Sequence, residues 1–170
     1  MGSSVNKTPL PLLGLALVVA LLAAVPAALA AEGEAEITRA EYIAKVEPIC
    51  AANTKSNSKI LKGVKQQVKK GKLKPAGKRF IRASGVLNRS SRQIAGVPQP
   101  AADATKLGKW VRYLKREGVF LRLIGKSLKS GNKYRAQKLA VKLNKNNNQA
   151  NNTVISFGFK ECRIDSSKFI

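Results

Sequence analysis

One stretch of the sequence decides the fold class: residues 103–129 read DATKLGKWVRYLKREGVFLRLIGKSLK. Its apolar side chains recur at steps of three and four residues, a spacing that places them along one face of an α-helix. This stripe consists of Leu107, Trp110, Val111, Leu114, Leu121, Ile124 and Leu128. Asp103 stands before the stripe and is predicted to cap the helix with its side chain, while residues 130–132 (SGN) are typical of a helix end and turn.

Two more helices are predicted on the N-terminal side of this stretch. Thr38 and Glu41 have the spacing of a capping box, and one face then runs through Tyr42, Val46, Ile49, Asn53, Asn57, Ile60, Val64 and Val68. This face predicts a single long first helix, which contains Pro48 and is expected to bend there. A second helix is predicted from near Pro75 until the two prolines of residues 97–100 (VPQP) end it.

A fourth helix is predicted on the C-terminal side, and it is expected to fray near residues 157–158. Its stripe consists of Ala136, Leu139, Ala140, Leu143, Asn147, Ala150 and Val154. No run of the sequence alternates between apolar and polar residues as a strand does. Four helices joined by short turns predict an all-α fold, an up-down-up-down four-helix bundle.

The two cysteines provide a test of this topology. In an up-down-up-down bundle the fourth helix runs back toward the start of the first, so Cys162 would arrive close to Cys50. We therefore predict one disulfide between helix 1 and the C-terminal tail, across a sequence separation of 112 residues. The alternative is a pair of unpaired buried thiols.

The first thirty residues resemble an export signal. Residues 10–30 (LPLLGLALVVALLAAVPAALA) contain no charged side chain and end in Ala28 and Ala30, which have the spacing of a secretory cleavage site. We predict a signal peptide over residues 1–30, a flexible acidic leader over residues 31–37 and a helical bundle domain over residues 38–170. The alternative is an uncleaved membrane anchor, because 21 apolar residues are just long enough to span a bilayer.

Cleavage would place the chain outside the cytoplasm, either secreted or associated with the cell envelope. A retained first segment would instead anchor it in the membrane. Compartments outside the cytoplasm are oxidising, which favours the predicted disulfide over free thiols.

The composition excludes several classes of site. With no histidine and two cysteines, the chain lacks the residues for a histidine zinc site, a Ser-His or Cys-His nucleophile pair, or a four-thiolate metal site. Residues 48–160 contain two acids: Asp103, interpreted as a cap, and Glu117, interpreted as an exposed partner of neighbouring lysines. A converging carboxylate pair is therefore not expected. We predict that the protein is not an enzyme and has no metal site and no cofactor.

The basic residues are the most informative feature for function. The chain has 32 Lys+Arg against 9 Asp+Glu, a net charge of +23, and residues 48–160 contain 27 of these basic residues. Ordinary outer helix faces mix both signs, because like charges four residues apart repel each other. This excess predicts electrostatic association with anionic polymers or lipid head groups of the cell envelope. The candidate anion-binding residues are Lys55, Lys59, Lys62, Lys69, Arg135, Lys138, Lys142 and Lys145.

The positive charge has two other interpretations, sequence-specific binding of nucleic acid and solubility alone. Sequence-specific nucleic-acid binding is not expected, since no helix-turn-helix, zinc-finger or ribonucleoprotein motif is found. The basic residues also have the spacing of solvated outer helix faces, in which case the charge serves only solubility. The protein would then be a carrier that binds a small molecule or peptide in a cleft between helices.

Asparagines are unusually dense near the end of the fourth helix, although asparagine is a mediocre helix former. Our hypothesis is that Asn53 and Asn147 face inward and form a hydrogen bond between helices 1 and 4. A cavity lined by both would favour the carrier function. The alternative is a solvated or frayed segment.

Several short motifs resemble a loose class of small exported proteins from high-GC Gram-positive bacteria. The resemblance rests on residues 41–44 (EYIA), 47–53 (EPICAAN), 107–110 (LGKW) and 150–153 (ANNT), the last leading to Phe157 and Cys162. It spans most of the chain after residue 30. It implies export, a helical fold and the cysteine pair, and because the class has no known activity it implies no mechanism.

Overall fold

The computed structural model of the protein describes residues 36–164. Five α-helices form this part of the chain: α1 (Arg39–Leu61), α2 (Val64–Lys69), α3 (Leu73–Ala95), α4 (Ala104–Lys129) and α5 (Lys133–Thr153). Short 3-10 turns span Ala101–Asp103 and Ile155–Phe157, and no strand occurs within residues 36–164. The prediction of an all-α fold is confirmed. The predicted signal peptide and residues 31–35 of the predicted leader lie outside the described residues.

The predicted capping box starts α1. The Thr38 side-chain oxygen accepts a hydrogen bond from the Glu41 amide (3.2 Å), and the Glu41 carboxylate accepts one from the Thr38 amide (2.8 Å). The hydrogen bond from the Thr38 amide also lowers the pKa of Glu41. Just before this cap, Glu36 accepts a hydrogen bond from the Ala101 amide (2.6 Å) and Ile37 packs against the core. Contacts to the rest of the domain therefore begin two residues before the predicted domain boundary.

The prediction of one long first helix is wrong. Pro48 lies inside α1, but that helix ends at Leu61 and the chain restarts as the six-residue α2. Gly63 separates the two, with φ of 74° in the left-handed region. A side chain bearing a Cβ rarely adopts this conformation, so glycine allows the chain to turn here.

Helices α3 and α4 are held together by a close approach of their backbones. A Cβ on Gly77 would lie 2.5 Å from the Gly125 carbonyl oxygen, and one on Gly125 would lie 2.7 Å from the Gly77 carbonyl oxygen. Farther along the same two helices, the Asn88 side chain occupies the space that a Cβ on Gly118 would need. Glycine is therefore required by space at positions 77 and 125, where the close contact is with backbone atoms.

The apolar stripe of α4 forms the centre of the core, as predicted. All seven of its residues are buried, and they divide between two clusters: Leu107, Trp110, Val111 and Leu114 in one, and Leu121, Ile124 and Leu128 in the other. Trp110 is fully buried and its ring stacks on that of Phe159, with centroids 5.1 Å apart. The core therefore joins α4 to the segment that follows α5.

The predicted disulfide is present. The Cys50 and Cys162 sulfur atoms are 2.03 Å apart, and their Cα atoms are 5.0 Å apart. Beside it, the two carboxylate oxygens of Glu47 accept hydrogen bonds from the Lys160 and Glu161 amides, each at 2.7 Å. A covalent bond and two charge-assisted hydrogen bonds thus attach the tail (residues 158–164) to α1.

Asp103 occupies the N-cap position of α4, but its side chain makes no capping hydrogen bond. It accepts two hydrogen bonds from the Arg39 guanidinium, at 2.6 and 2.7 Å, and this pairing lowers the pKa of Asp103. Arg39 also lies 4.8 Å from the centroid of the Phe157 ring. The prediction of a side-chain cap is therefore wrong. The Asp103 carboxylate pairs with Arg39 instead, because a bidentate guanidinium is a stronger donor than a backbone amide. The ion pair connects the starts of α1 and α4 with the chain after α5.

Among the described helices, α1 packs against α3, α3 against α4, and α4 against α5, while the short α2 packs on α3. Helices α1 and α5 are not among these closely packed pairs. A cavity lined by residues of α1, α3 and α4 and by Leu143 of α5 lies in this domain.

Candidate functional site

All eight predicted anion-binding residues are exposed. Lys55 and Lys59 lie on α1, Lys62 follows its last residue and Lys69 ends α2, whereas the other four lie on α5. Lys138 contacts the Tyr134 ring, with its ammonium nitrogen 4.4 Å from the ring centroid. Lys69 lines a groove of about 260 Å³ between α2 and α5. The structure thus presents these side chains to solvent on several helices and brings one of them to a groove.

Acidic residues are few beside the basic residues in the described part of the chain. Residues 36–164 contain 30 Lys+Arg and six acids. Five of these acids hold the fold together or are buried: Glu36, Glu41, Glu47, Asp103 and Glu117. The sixth, Glu161, is exposed on the tail. Glu36 and Glu41 are exposed as well, and a hydrogen bond leaves the charge of a carboxylate in place. The positive excess therefore comes from the numbers, 30 basic residues against six acids, of which Asp103 and Glu117 are buried.

A cavity of about 350 Å³ lies among α1, α3, α4, Leu143 of α5 and the tail. Its polar lining comes mainly from α1, with Asn53 and Asn57, and from Ser90 of α3; its apolar lining includes Leu87 and Leu121. Both disulfide cysteines also line it. We call this space the polar cavity.

Glu117 lines the polar cavity, so its interpretation as an exposed partner of lysines is wrong. The residue is 9% exposed, and its Oε2 atom is buried without a hydrogen-bond partner. Burial raises the pKa of Glu117 to about 8, because removing a carboxylate from water disfavours its charged form. At pH 7 Glu117 is therefore mainly a neutral carboxylic acid inside the domain.

The sequence contains the signal that places Glu117 in the core. It lies three residues after Leu114 and four before Leu121, which are both in the buried stripe of α4. The stripe thus continues without interruption if Glu117 is counted as one of its positions. A charged residue at a core position of a strongly periodic helix marks either a structural ion pair or a functional group.

The predicted hydrogen bond between Asn53 and Asn147 is absent. Asn53 accepts instead from Asn57 one turn along α1, at 3.1 Å. Asn147 is 1% exposed, but neither its side-chain oxygen nor its nitrogen has a hydrogen-bond partner, and it does not line the polar cavity. The physical reason is that α1 and α5 do not pack closely, whereas residues four apart on one helix are always neighbours.

Other asparagines of α5 form hydrogen bonds to neighbouring elements, though to α4 and the tail and not to α1 as was predicted for Asn147. Asn146 donates a hydrogen bond to the Tyr113 carbonyl of α4 (3.0 Å). Asn151 exchanges two hydrogen bonds with the backbone of Ile164, each at 2.9 Å. The dense asparagines therefore fasten α5 to α4 and to the tail through backbone groups.

Residues 36–164 contain no group of three or more cysteine, aspartate or glutamate side chains placed to hold a metal ion. None of the helices in that range is long and apolar enough to cross a membrane. No protein-family model matches the chain, and neither does any curated protein or solved structure. The resemblance to small exported proteins of high-GC Gram-positive bacteria stays a prediction.

Proposed function

We propose that the protein is an exported, non-enzymatic helical protein that associates electrostatically with anionic cell-envelope material, either polymers or lipid head groups. The observation that carries this proposal is the small number of acids beside the exposed basic residues, six acids against 30 Lys+Arg in residues 36–164. Five of the six acidic side chains in residues 36–164 are engaged in the fold or buried, while the eight candidate basic side chains are exposed. A surface of this kind attracts polyanions over a Debye length and releases their counterions on contact.

The disulfide supports the proposed location, because it indicates an oxidising compartment outside the cytoplasm. Cleavage after Ala30 is part of the proposal, and mass spectrometry of the N-terminus of the exported protein tests it. A product that begins at Ala31 agrees with a secreted protein. A product that retains residues 1–30 contradicts it and supports the membrane-anchored alternative.

We also propose that the helices follow the up-down-up-down order of a four-helix bundle, with α2 as a short insertion. The contacts between α3 and α4 pair Gly77 with Gly125 and Asn88 with Gly118, so residue numbers rise on one helix as they fall on the other. The turn between Lys129 and Lys133 joins α4 to α5, and Asn146 bonds to Tyr113 about equally far from that turn on the other helix, so α5 runs back along α4. These pairings support antiparallel neighbours.

Binding to immobilised heparin tests the electrostatic proposal. We expect strong retention that weakens steeply as salt rises, since each basic contact releases counterions. Elution at low ionic strength would contradict the proposal. A variant with four α5 substitutions to glutamine measures the part played by that helix: Arg135→Gln, Lys138→Gln, Lys142→Gln and Lys145→Gln.

The matched control removes the same charge from exposed positions of α4. It carries Lys109→Gln, Arg112→Gln, Lys115→Gln and Arg122→Gln, all at exposed residues. In the α5 variant we expect the slope of log affinity against log salt concentration to be smaller in magnitude by about three to four. In the control we expect a smaller reduction. Equal losses in the two variants would show that bulk charge, not the α5 residues, binds the polymer.

A second function is favoured by the polar cavity: a carrier that binds a small molecule or peptide between the helices. The supporting observation is a space of about 350 Å³ lined by Asn53, Asn57 and the unpartnered Glu117, together with apolar side chains. A concave site with a few converging polar groups and one carboxyl of raised pKa is typical of ligand-binding sites.

Native mass spectrometry of the protein isolated from the exported fraction tests the carrier function. We expect a share of the molecules to carry the additional mass of one small compound. Thr54→Trp adds a large ring at the edge of the polar cavity and is expected to abolish this adduct. Thr105→Trp is the control, at an exposed position that does not line the cavity. Equal adducts in both variants, or none in the wild type, would contradict the carrier function.

A further inference from the structure

Two residues that line the polar cavity each have a buried hydrogen-bond acceptor with no donor from the described chain. Oε2 of Glu117 and Oδ1 of Asn57 are both buried and unpartnered. The side-chain nitrogen of Asn57 donates a hydrogen bond to the side-chain oxygen of Asn53. Buried polar atoms without partners are costly in folded proteins, so a donor bound in the cavity would stabilise these two residues.

The charges around the cavity come from few residues. Glu117 on α4 is the one charged or titratable side chain that α1, α3, α4 and α5 contribute to the described lining. The tail adds Lys160, Glu161 and Arg163, all of them exposed. Burial, and not a neighbouring charge, accounts for the raised pKa of Glu117. The interior of the cavity therefore holds a carboxyl group with no counter-ion from the protein.

We propose that the polar cavity binds a compact organic ammonium ion, whose N–H groups donate to Glu117 and Asn57 while its alkyl part contacts the apolar lining. This inference rests on the carrier function proposed above and names its class of ligand. A primary ammonium group has three donors, no acceptor and one positive charge, which matches two acceptors and one uncompensated carboxylate. The volume of about 350 Å³ is that of roughly a dozen liquid water molecules, so it suits a small ligand.

Binding of the ion changes the protonation of the site. In the empty cavity at pH 7, Glu117 is mainly protonated; with an ammonium ion beside it, the carboxylate form is favoured. The carboxyl proton is released to solvent, while the ammonium ion keeps its own three. The affinity for the cation should therefore rise with pH until it levels off above pH 8.

Titration calorimetry with n-butylammonium tests the inference on the chain with its disulfide intact. We expect the affinity to rise about 50-fold between pH 6 and pH 8, the ratio of ionised fractions for a group with a pKa of about 8. The measured heat should depend on the buffer's own ionisation heat, corresponding to nearly one proton released at pH 7 and below. The neutral isostere n-butanol is expected to bind at least tenfold more weakly at pH 8.

Two variants locate the effect. Glu117→Gln keeps the shape of the side chain but cannot ionise, so it should bind n-butylammonium at least tenfold more weakly at pH 8 and show no pH dependence. Glu161→Gln removes the other lining acid, which is exposed on the tail, and should change neither affinity nor pH dependence. Thermal unfolding of both variants verifies that they are folded.

The outcomes separate this inference from the carrier function. If n-butanol binds as well as n-butylammonium, or if Glu117→Gln binds the cation as well as the wild type, the ammonium assignment is wrong. In the first case the carrier function stands, because a small molecule still occupies the cavity. If neither probe binds but the wild type carries a natural adduct that Thr54→Trp abolishes, the proposed class of ligand is wrong and the carrier function stands. If neither probe binds and no adduct is found, both fail.

Discussion

Removal of the disulfide between Cys50 and Cys162 is expected to lower the free energy of unfolding by about 2–5 kcal/mol. The bond joins positions 112 residues apart, so its loss frees almost the whole described chain in the unfolded state. It also attaches the tail, which carries Phe159 onto the Trp110 ring. Total stabilities of small domains are about 5–15 kcal/mol, so the loss is a large fraction of what holds the fold.

Urea unfolding of the oxidised protein and of the double variant Cys50→Ala with Cys162→Ala measures this effect. We expect a midpoint at a much lower urea concentration in the double variant. The control is the same comparison in the presence of a reductant, which should shift the wild type toward the variant and leave the variant unchanged. Coincident unfolding curves without reductant would show that the hydrogen bonds from Lys160 and Glu161 to Glu47 alone hold the tail.

The second large effect is a loss of stability as the pH rises, caused by Glu117. The pKa of its carboxyl is about 8 in the folded protein, whereas its usual value is 4.5. Between these two values the unfolded chain has released the proton and the folded chain still holds it. The free energy of unfolding therefore falls as the pH rises through this window and levels off above pH 8. From the size of the shift, the total fall is roughly 4–5 kcal/mol.

Denaturant unfolding at a series of pH values between 4.5 and 9 measures this fall. Glu117→Gln, which cannot ionise, is expected to flatten the profile over the window and to be more stable than the wild type at pH 8. Glu161→Gln, at the exposed acid of the tail, should reproduce the wild-type profile. An unchanged slope in Glu117→Gln would assign the pH dependence to another group.

Asp103 does not interfere with this measurement. Its pairing with Arg39 lowers its pKa below the usual 3.8. Its contribution to stability is therefore present above the unfolded value and is lost as the pH falls through the lowered one. The effects of the two carboxyl groups have opposite signs and occupy separate ranges of pH.

Local patterns accounted for the parts of the fold that depend on neighbouring residues. The capping box of Thr38 and Glu41 and the apolar stripe of α4 were both predicted from spacing alone and are confirmed. The break at Gly63 was missed, because a glycine in a helical pattern is compatible with both continuation and a turn. Its left-handed conformation depends on how α2 packs on α3.

The candidate sites were harder to predict, since they depend on partners distant in sequence. Asp103 has the spacing of a cap but pairs with Arg39, 64 residues away. Glu117 has a core position in the α4 stripe, but its acidic side chain was interpreted as exposed. Asn147 was correctly placed inside the domain, while its proposed partner lies on a helix that does not pack closely against α5.

The sequence by itself determined the helical class, the position of the main core helix, the pairing of Cys50 with Cys162 and the excess of positive charge. The helical class and the core helix follow from periodicity, which depends on neighbouring residues, and the charge follows from composition. The pairing follows because Cys50 and Cys162 are the two cysteines of the chain. Only the tertiary structure decided that most acids serve the fold, that Glu117 lacks a counter-ion and that a cavity lies among α1, α3, α4 and the tail. Burial and the choice of a hydrogen-bond partner are set by which helices meet, and that depends on close fits such as Gly77 against Gly125.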